Sequence, residues 1–409
     1  MDDLVADLPA DFDPAAPLRR APVPWAALPA PDVRAGPPFA MTEMIAAEPA
    51  LAHRLVTRLR ADGSAASLAR AVRAAVAAGN PVVVTGCGTS EHGAQGVARI
   101  LAAACRAAGL PGGALIAAQA FELALDPPPA GLVIGVSHEG GTAATIAALD
   151  AARAAGGLTA LITASAGSPA APAADFVLET LELDASWCHT VGYVSPLLAA
   201  AATAEAIAAG DDWDATRLGA VLAGRLAGGI SAAADGRAAG IAAQLARVDH
   251  LLVVGSGADI PAARELALKV EEAAWLPTSV RELETLLHGH LPATGEGTGL
   301  VMLLTDPGGR TARTARAAQA LEAAAVLGIK VAAVLAEGVA KSIPARLTPA
   351  GRIVVAEALA LSGPVAALFG TATPLQCITE RLARARGTNP DLIRREDPRY
   401  RAASDAADT

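Results

Sequence analysis

The sequence predicts an α/β protein built from two tandem, doubly wound parallel-sheet domains with helical linker segments. Short apolar runs at Val82–Val84, Leu132–Val136 and Leu251–Val254 each lead into a glycine turn. A strand buried on both faces of a parallel sheet has this continuous apolar character. Each turn opens into a stretch of good helix formers, and strands alternating with helices at this spacing build a parallel sheet. The strand-to-glycine pattern starts again at His250, and two copies of one unit account for 409 residues better than one large sheet does.

The elements follow in chain order. Prolines at 9, 14, 17, 22, 24, 29, 31, 37 and 38 prevent regular structure, so residues 1–40 are expected to form a flexible or wrapped arm. Helical patterning begins at Met41, continues through Leu51–Arg60 and resumes over Ser67–Ala78. Asn80-Pro81 marks a boundary before the strand at Val82 and its helix from Glu91 to Ala108. Ala114–Ala117 reads as a short strand, Leu132–Val136 as a strand with a helix to Ala155, and Thr159–Thr163 and Phe176–Leu178 as further strands. Helical stretches follow over Trp187–Ala208 and Trp213–Arg247. The second unit comprises a strand from His250, a helix over Ile260–Trp275, strands at Leu300–Leu304 and Val331–Leu335, and a helix over Thr311–Leu327. Beyond Pro364 a last helix runs to Arg386, and the polar tail after it is expected to be extended. The expected domains are therefore 41–210 and 211–386, between an arm at 1–40 and a tail at 387–409.

Composition narrows the function. A formal charge of -9 and the lack of a basic run argue against a nucleic-acid partner. The apolar stretch Leu197–Ala209 is interrupted by Thr203 and Glu205 and is too short to span a membrane. The acidic, proline-rich start is unlike a secretory signal. Four cysteines, Cys87, Cys105, Cys188 and Cys377, show neither metal nor disulfide spacing, which suits a reducing cytoplasm. Lysine occurs only at 269, 330 and 341, so one inside a coherent motif is notable.

Two glycine turns carry hydroxyls, Gly86-Cys-Gly-Thr-Ser90 and Ser137-His-Glu-Gly-Gly-Thr142, with Thr145 just beyond the second. Free amides and the dipole at a helix N-terminus favour an anion, and hydroxyl donors suit phosphate oxygens. An isolated turn of this kind is more often an ordinary strand-to-helix connection. Lys269 and Glu272 lie three apart on one helix face, which by itself describes a surface ion pair worth about 0.2–0.5 kcal/mol. Glu284-Thr-Leu-Leu-His288-Gly-His290 follows on the next segment.

Taken together, the two glycine turns in this order resemble the paired signature of sugar isomerase (SIS) domains. Over residues 41–395 the chain is similar to the tandem-domain isomerase half of glucosamine-6-phosphate synthases. The resemblance implies that Ser90, Ser137 and Thr142 hold a sugar phosphate, with Gly88, Thr89 and Gly140 supporting them and His138 and Glu139 in the same wall. It further implies that Glu272 shuttles a proton between two sugar carbons, that Lys269 stands beside it, and that His288 assists ring opening. These residue types suit aldose–ketose chemistry. One carboxylate serves as base and then acid, histidine is near neutrality, and a cation stabilises the developing oxyanion. Nothing in the motifs demands a metal or a redox cofactor.

Three departures from the family pattern restrict the assignment. Glu139 stands where a small hydroxyl residue is usual, and a carboxylate about 4 Å from a phosphate costs on the order of 1–4 kcal/mol. Either Glu139 points away or the ligand differs. The synthases' glutaminase cysteine has no counterpart, since the first cysteine here is Cys87. The tail, Asn389 to Tyr400, supplies arginines such as Arg394 and Arg395 but no lysine, so an imine would depend on Lys269. The resemblance thus implies an enzyme that isomerises, or deaminates and isomerises, a sugar or amino-sugar 6-phosphate without glutaminase activity. It also implies a cytoplasmic homodimer with His288 reaching across the interface. The alternative is a non-catalytic phosphosugar-binding regulator, although residues 1–80 show no basic helix-turn-helix pattern.

Overall fold

The computed structural model describes residues 6–407. Strands β1 (Val82–Gly86), β2 (Leu115–Gln119), β3 (Leu132–Val136), β4 (Leu158–Thr163) and β5 (Phe176–Glu179) form a parallel sheet in the order β2-β1-β3-β4-β5. A second parallel sheet contains β6 (His250–Gly255), β7 (Thr278–Glu282), β8 (Thr298–Leu304), β9 (Lys330–Ala336) and β10 (Gly351–Val355), in the order β10-β9-β8-β6-β7. Read from the other edge, the second order repeats the first strand for strand. Each sheet begins in its interior, places its second strand on one side and its third on the other, and so has one crevice where the winding reverses. These crevices lie between β1 and β3 and between β6 and β8, beyond the carboxyl ends of the strands.

Strand side chains alternate between faces, which determines how the sheets share their interior. Val82, Val84, Leu132 and Ile134 point into the main core, as do Leu251, Val253 and Val301 of the second sheet. Their neighbours Val83 and Val133 face a separate outer cluster, while Leu252, Val254 and Leu300 face another. The main core is therefore continuous between the sheets. It is filled by α1 (Ala40–Ala61), α3 (Thr89–Ala107), α6 (Val191–Ala209), α7 (Ala215–Ala233), α9 (Ile260–Ala274) and α13 (Gly363–Arg386). The outer faces are covered by α4 (Ala120–Leu125) and α5 (Ala143–Ala154) on the first sheet and by α11 (Arg310–Val326) and α12 (Glu337–Ala340) on the second. Helix α2 (Ser64–Ala77) packs beside α6, and α8 (Arg237–Leu245) lies between α13 and β10. A three-residue turn, α10 (Leu283–Thr285), follows β7.

Helix α6 is rich in alanine and almost wholly apolar. By length and composition alone it is long and apolar enough to cross a membrane, yet 83% of its apolar window is buried inside the protein. Helix α3 approaches it closely at a glycine: a Cβ on Gly96 of α3 would fall 2.4 Å from Leu197 of α6.

The structure differs from the expectations at three places. Strands β7 and β10 are additional to the expected ones: β7, Thr278-Ser-Val-Arg-Glu282, is a half-buried, polar edge strand, whereas β10, Gly351-Arg-Ile-Val-Val355, carries only a short apolar run at the opposite edge. The stretch from Trp213 to Arg247 is not one helix, since Asp235 and Gly236 have φ of 53° and 74° and separate α7 from α8. The tail is not extended. Asp391 is buried, and a last helix, α14, spans Pro398–Ala407.

Both terminal segments are tied to the body. The arm is wrapped: Leu18 N–H donates to Glu182 Oε2 at 2.8 Å, and Arg54 holds the same carboxylate through two bonds of 2.8 and 2.7 Å. Asp391 accepts from the N–H groups of Ala40 (2.8 Å) and Met41 (2.9 Å). Phe39, at the start of α1, has no capping side chain of its own, so the tail provides the cap from the far end of the sequence.

Candidate functional site

The crevice of the first sheet is formed by the two hydroxyl-bearing turns. The turn after β1 is sharp: Gly88 has φ 57° and ψ −126°, and a Cβ on Gly86 would lie 2.7 Å from the backbone of Ser90. Only glycine permits that approach. Helix α3 starts at Thr89, which is buried, while Ser90 is half-buried and Gly88 exposed. The turn after β3 is stitched to the next strand, because Ala164 N–H donates to His138 O (2.9 Å) and Ala170 N–H to Gly140 O (2.9 Å). Gly140 has φ 73°, and a Cβ there would sit 2.2 Å from Ser168 Oγ. Ser137 Oγ lies 3.4 Å from Thr142 Oγ1, which places two of the expected phosphate ligands together. Thr142 is exposed, at the start of α5.

The residues between these hydroxyls turn elsewhere. The His138 ring is buried and accepts the Asp184 N–H at Nε2 (3.1 Å). Asp184 in turn accepts three backbone N–H groups at the start of α6, from Thr190, Val191 and Gly192, at 3.1, 3.1 and 2.7 Å. Glu139 directs Oε1 toward His189 Nε2, 3.9 Å away. Its carbonyl accepts Trp25 Nε1–H from the arm at 3.3 Å. The Trp25 ring also lies over the turn, 3.8 Å from the position a Cβ on Gly141 would take.

Lys269 and Glu272 form a tight pair, with Nζ 2.5 Å from Oε2. The lysine side chain is 1% exposed, so this is no surface ion pair. Glu265, one turn earlier on α9, places Oε1 3.8 Å from the same ammonium and is itself buried. The Cys188 thiol lies against the Glu272 carboxyl. Burial alone would lower the Lys269 ammonium, but Glu272, Cys188 and Glu265 together hold it above its ordinary value. Burial pushes the Glu272 carboxyl up, against the opposing pull of Lys269. One cation thus faces two carboxylates, and Glu272, with a side chain 21% exposed, is the more open of the two.

Helix α9 connects this pair to the first crevice. Leu268 Cδ2 is 3.9 Å from the Cβ position of Gly88, and His92 Nδ1 of α3 meets Glu265 Oε2 at 2.8 Å. The segment 184–190 joins the two sides, since Cys188 touches Glu272 while His189 approaches Glu139. A neighbouring cleft of about 710 Å3 takes its lining from the next face of α9, including Ala267, Leu268 and Glu271, and from His92 and His290.

His288 is not brought to the pair within the chain. It sits after α10 in non-helical backbone (φ −105°, ψ 75°), with Gly289 at φ 99°, and its side chain is 69% exposed. Its Nε2 is 2.6 Å from Glu284 Oε1. Glu284 also takes two bonds from Arg316, which with His288 hold its carboxyl down to about 2. Arg394 and Arg395 are also occupied, Arg394 over the rings of Trp275 (4.5 Å) and Tyr400 (4.0 Å) and Arg395 over Trp187 (4.9 Å).

The sequence reading missed Asp184, Cys188, His189, Glu265 and Trp25. Glu265 had a usable signal, because it precedes Lys269 by one helical turn on the same face. The others sit in irregular segments with no periodicity and reach the site only through folding.

Fold and site together define a double-crevice α/β protein with a hydroxyl-lined turn pair beside a buried lysine–glutamate pair. Residues 77–209 and 244–338 match the family model of the SIS domain, and the chain belongs to that family. Among solved structures, the chain is similar to the C-terminal domain of glucosamine-fructose-6-phosphate aminotransferase from Francisella tularensis (TM-score 0.72, 18% identity, 88% of this chain and 99% of that one). It is also similar to tagatose-6-phosphate ketose/aldose isomerase from Escherichia coli (TM-score 0.68, 18% identity, 89% and 97%). Glucosamine-6-phosphate deaminase from Thermotoga maritima matches at a TM-score of 0.55 and 20% identity, over 76% and 87%. No curated protein sequence matches the chain.

Proposed function

We propose that the protein isomerises, or deaminates and isomerises, a sugar or amino-sugar 6-phosphate, with Glu272 as the proton carrier. The observation that carries this reading is the buried Lys269–Glu272 pair, 2.5 Å apart, on the helix that packs against the Gly88 turn. In this reading Ser90, Ser137 and Thr142 hold the phosphate, and the turns at Gly88, Thr89 and Gly140 orient it. Glu139, turned toward His189, leaves the phosphate room. Glu272, its carboxyl raised by burial, removes a proton from one sugar carbon and returns it to the next. Lys269 stays charged and stabilises the enediolate oxygen. No glutaminase step is included. His288 acts from a second subunit of a homodimer, where its exposed position suits reaching a neighbouring site. Among the described residues no cysteine forms a disulfide, in keeping with a reducing cytoplasm.

The regulatory alternative has no chemical use for a buried acid–base pair beside the crevice. The deciding experiment incubates the protein with hexosamine and ketose 6-phosphates, following ammonia release and sugar identity by NMR. Turnover that survives Glu272→Gln would remove the assigned proton carrier. Thermal stabilisation by one sugar phosphate without any turnover would favour the regulator.

A further inference from the structure

The duplicated topology gives the second sheet a crevice of its own between β6 and β8, and no step of the proposed reaction uses it. It opens into a cleft of about 690 Å3. Its floor is the turn after β6, at Gly257 and Ala258, and the turn after β8, at Asp306 and Gly308. These stand in the same relation to their sheet as the two hydroxyl turns do to the first. The floor is rigid. Buried Asp259 accepts from Thr305 N–H (2.7 Å), Thr305 Oγ1–H (2.5 Å) and Asp306 N–H (3.0 Å), which locks the two turns together.

The walls carry arginine in place of hydroxyls. Arg99 and Arg106 come from α3, Arg264 from α9 and Arg313 from α11, against two carboxylates, Asp306 and Glu282. Asp306 is already committed: Ala258 N–H (2.8 Å), Gly308 N–H (2.8 Å) and Arg313 Nη1 (2.7 Å) all bond it. Among the described residues, no carboxylate lies within ion-pairing distance of Arg99, Arg106 or Arg264. Arg99 has both signs of charge around it. Burial lowers its pKa, and Arg313 and Arg264 add to that against the opposing pull of Asp306 and Glu282. Guanidinium groups held near one another in a concave, partly desolvated place repel, and an anion between them removes that cost.

We infer that the second crevice is a separate binding site for a phosphate-bearing small molecule, held by Arg99, Arg106 and Arg264 over the Gly257 and Asp306 turns. Sheet topology provides the concavity, and the three uncommitted guanidiniums provide the selectivity for a dianion. A ligand here would bridge α3 and α9, the two helices that also frame the first crevice, and would couple the sites through His92 and Glu265.

The test is calorimetric titration of the full chain with inorganic phosphate at constant ionic strength, for wild type, Arg99→Gln/Arg106→Gln and Ser90→Ala/Thr142→Ala. None of these changes touches the buried core, and circular dichroism melting checks that each variant is folded. The inference expects two classes of phosphate site. The arginine variant should weaken one class at least tenfold, and the hydroxyl variant should leave that same class intact. The inference is overturned if the arginine variant's isotherm superimposes on that of wild type, if both variants abolish one shared site, or if chloride reproduces the phosphate effect.

Discussion

Lys269 Nζ and Glu272 Oε2 meet at 2.5 Å on one face of α9, and Glu265 completes a buried triad of one cation and two carboxylates. Breaking such a group by removing its cation leaves buried carboxylates without compensation. Lys269→Met is therefore expected to destabilise the protein by about 3 kcal/mol. Without the ammonium the burial that raises the Glu272 carboxyl is no longer opposed, so the folded state holds a proton the unfolded chain releases and stability is lost as pH rises. The deficit relative to wild type should be larger at pH 8 than at pH 5, and Glu265→Gln should recover part of it. Urea unfolding at the two pH values reads both effects.

Glu272→Gln separates chemistry from folding. The amide keeps the shape and a hydrogen-bonding oxygen but cannot carry the proton. Loss of a general acid–base group costs roughly 10²–10⁴ in rate. Turnover of any accepted sugar phosphate should fall by that range, with the melting temperature close to that of wild type.

His189 is expected to set part of the acid limb of stability. Burial, with His138 and Lys269 adding and Asp184 opposing, pulls its pKa down to about 3. The unfolded chain binds that proton near pH 6.5. Between these values the unfolded state holds more protons, so stability is complete above about pH 6.5 and falls on acidification. At pH 5 the loss amounts to about 2 kcal/mol. His189→Gln should flatten the decline between pH 7 and pH 4 in chemical denaturation.

Glu48 has the opposite sign. Burial raises its carboxyl well above the ordinary range, and Gln376 Nε2 donates to Oε1 at 2.8 Å while Oε2 has no partner. The folded state holds the proton where the unfolded chain has released it, so the cost grows as pH rises above about 4.5. Glu48→Gln removes this ionisation and should equal or exceed wild type in stability at pH 8. A loss of stability at that pH would show that Glu48 is charged in the fold.

Asp391 tests the cap that closes the chain. Asp391→Ala leaves the N–H groups of Ala40 and Met41 unpaired in a buried setting. Loss of a capping side chain costs about 1–2 kcal/mol. Hydrogen exchange should increase at the start of α1 and in the tail together, while the strands stay protected.

Much of the site was legible locally. The two glycine turns are sequence-local, because the strand, the positive-φ glycine and the following helix all lie within about a dozen residues of chain. Lys269 and Glu272 were legible for the same reason, as helix geometry places residues three apart on one face. Their burial was not, since a spacing carries no information about what packs above it. The edge strand β7 escaped because its polar, half-buried residues give no continuous apolar run, and β10 because its run is only Ile353 to Val355.

The sequence by itself determined the α/β class, the repeat of one unit, and the turns that build each crevice, because these depend on interactions between near neighbours. Tertiary structure alone decided the rest. It turned Glu139 toward His189, set Cys188 and Glu265 around the Lys269–Glu272 pair, placed Trp25 over the Gly140 turn, and left Arg99 and Arg264 uncommitted in the second crevice. Asp391 caps a helix that begins 351 positions earlier. The physical reason is the same in each case. Desolvation and charge pairing depend on distance in space, and only the folded chain sets those distances.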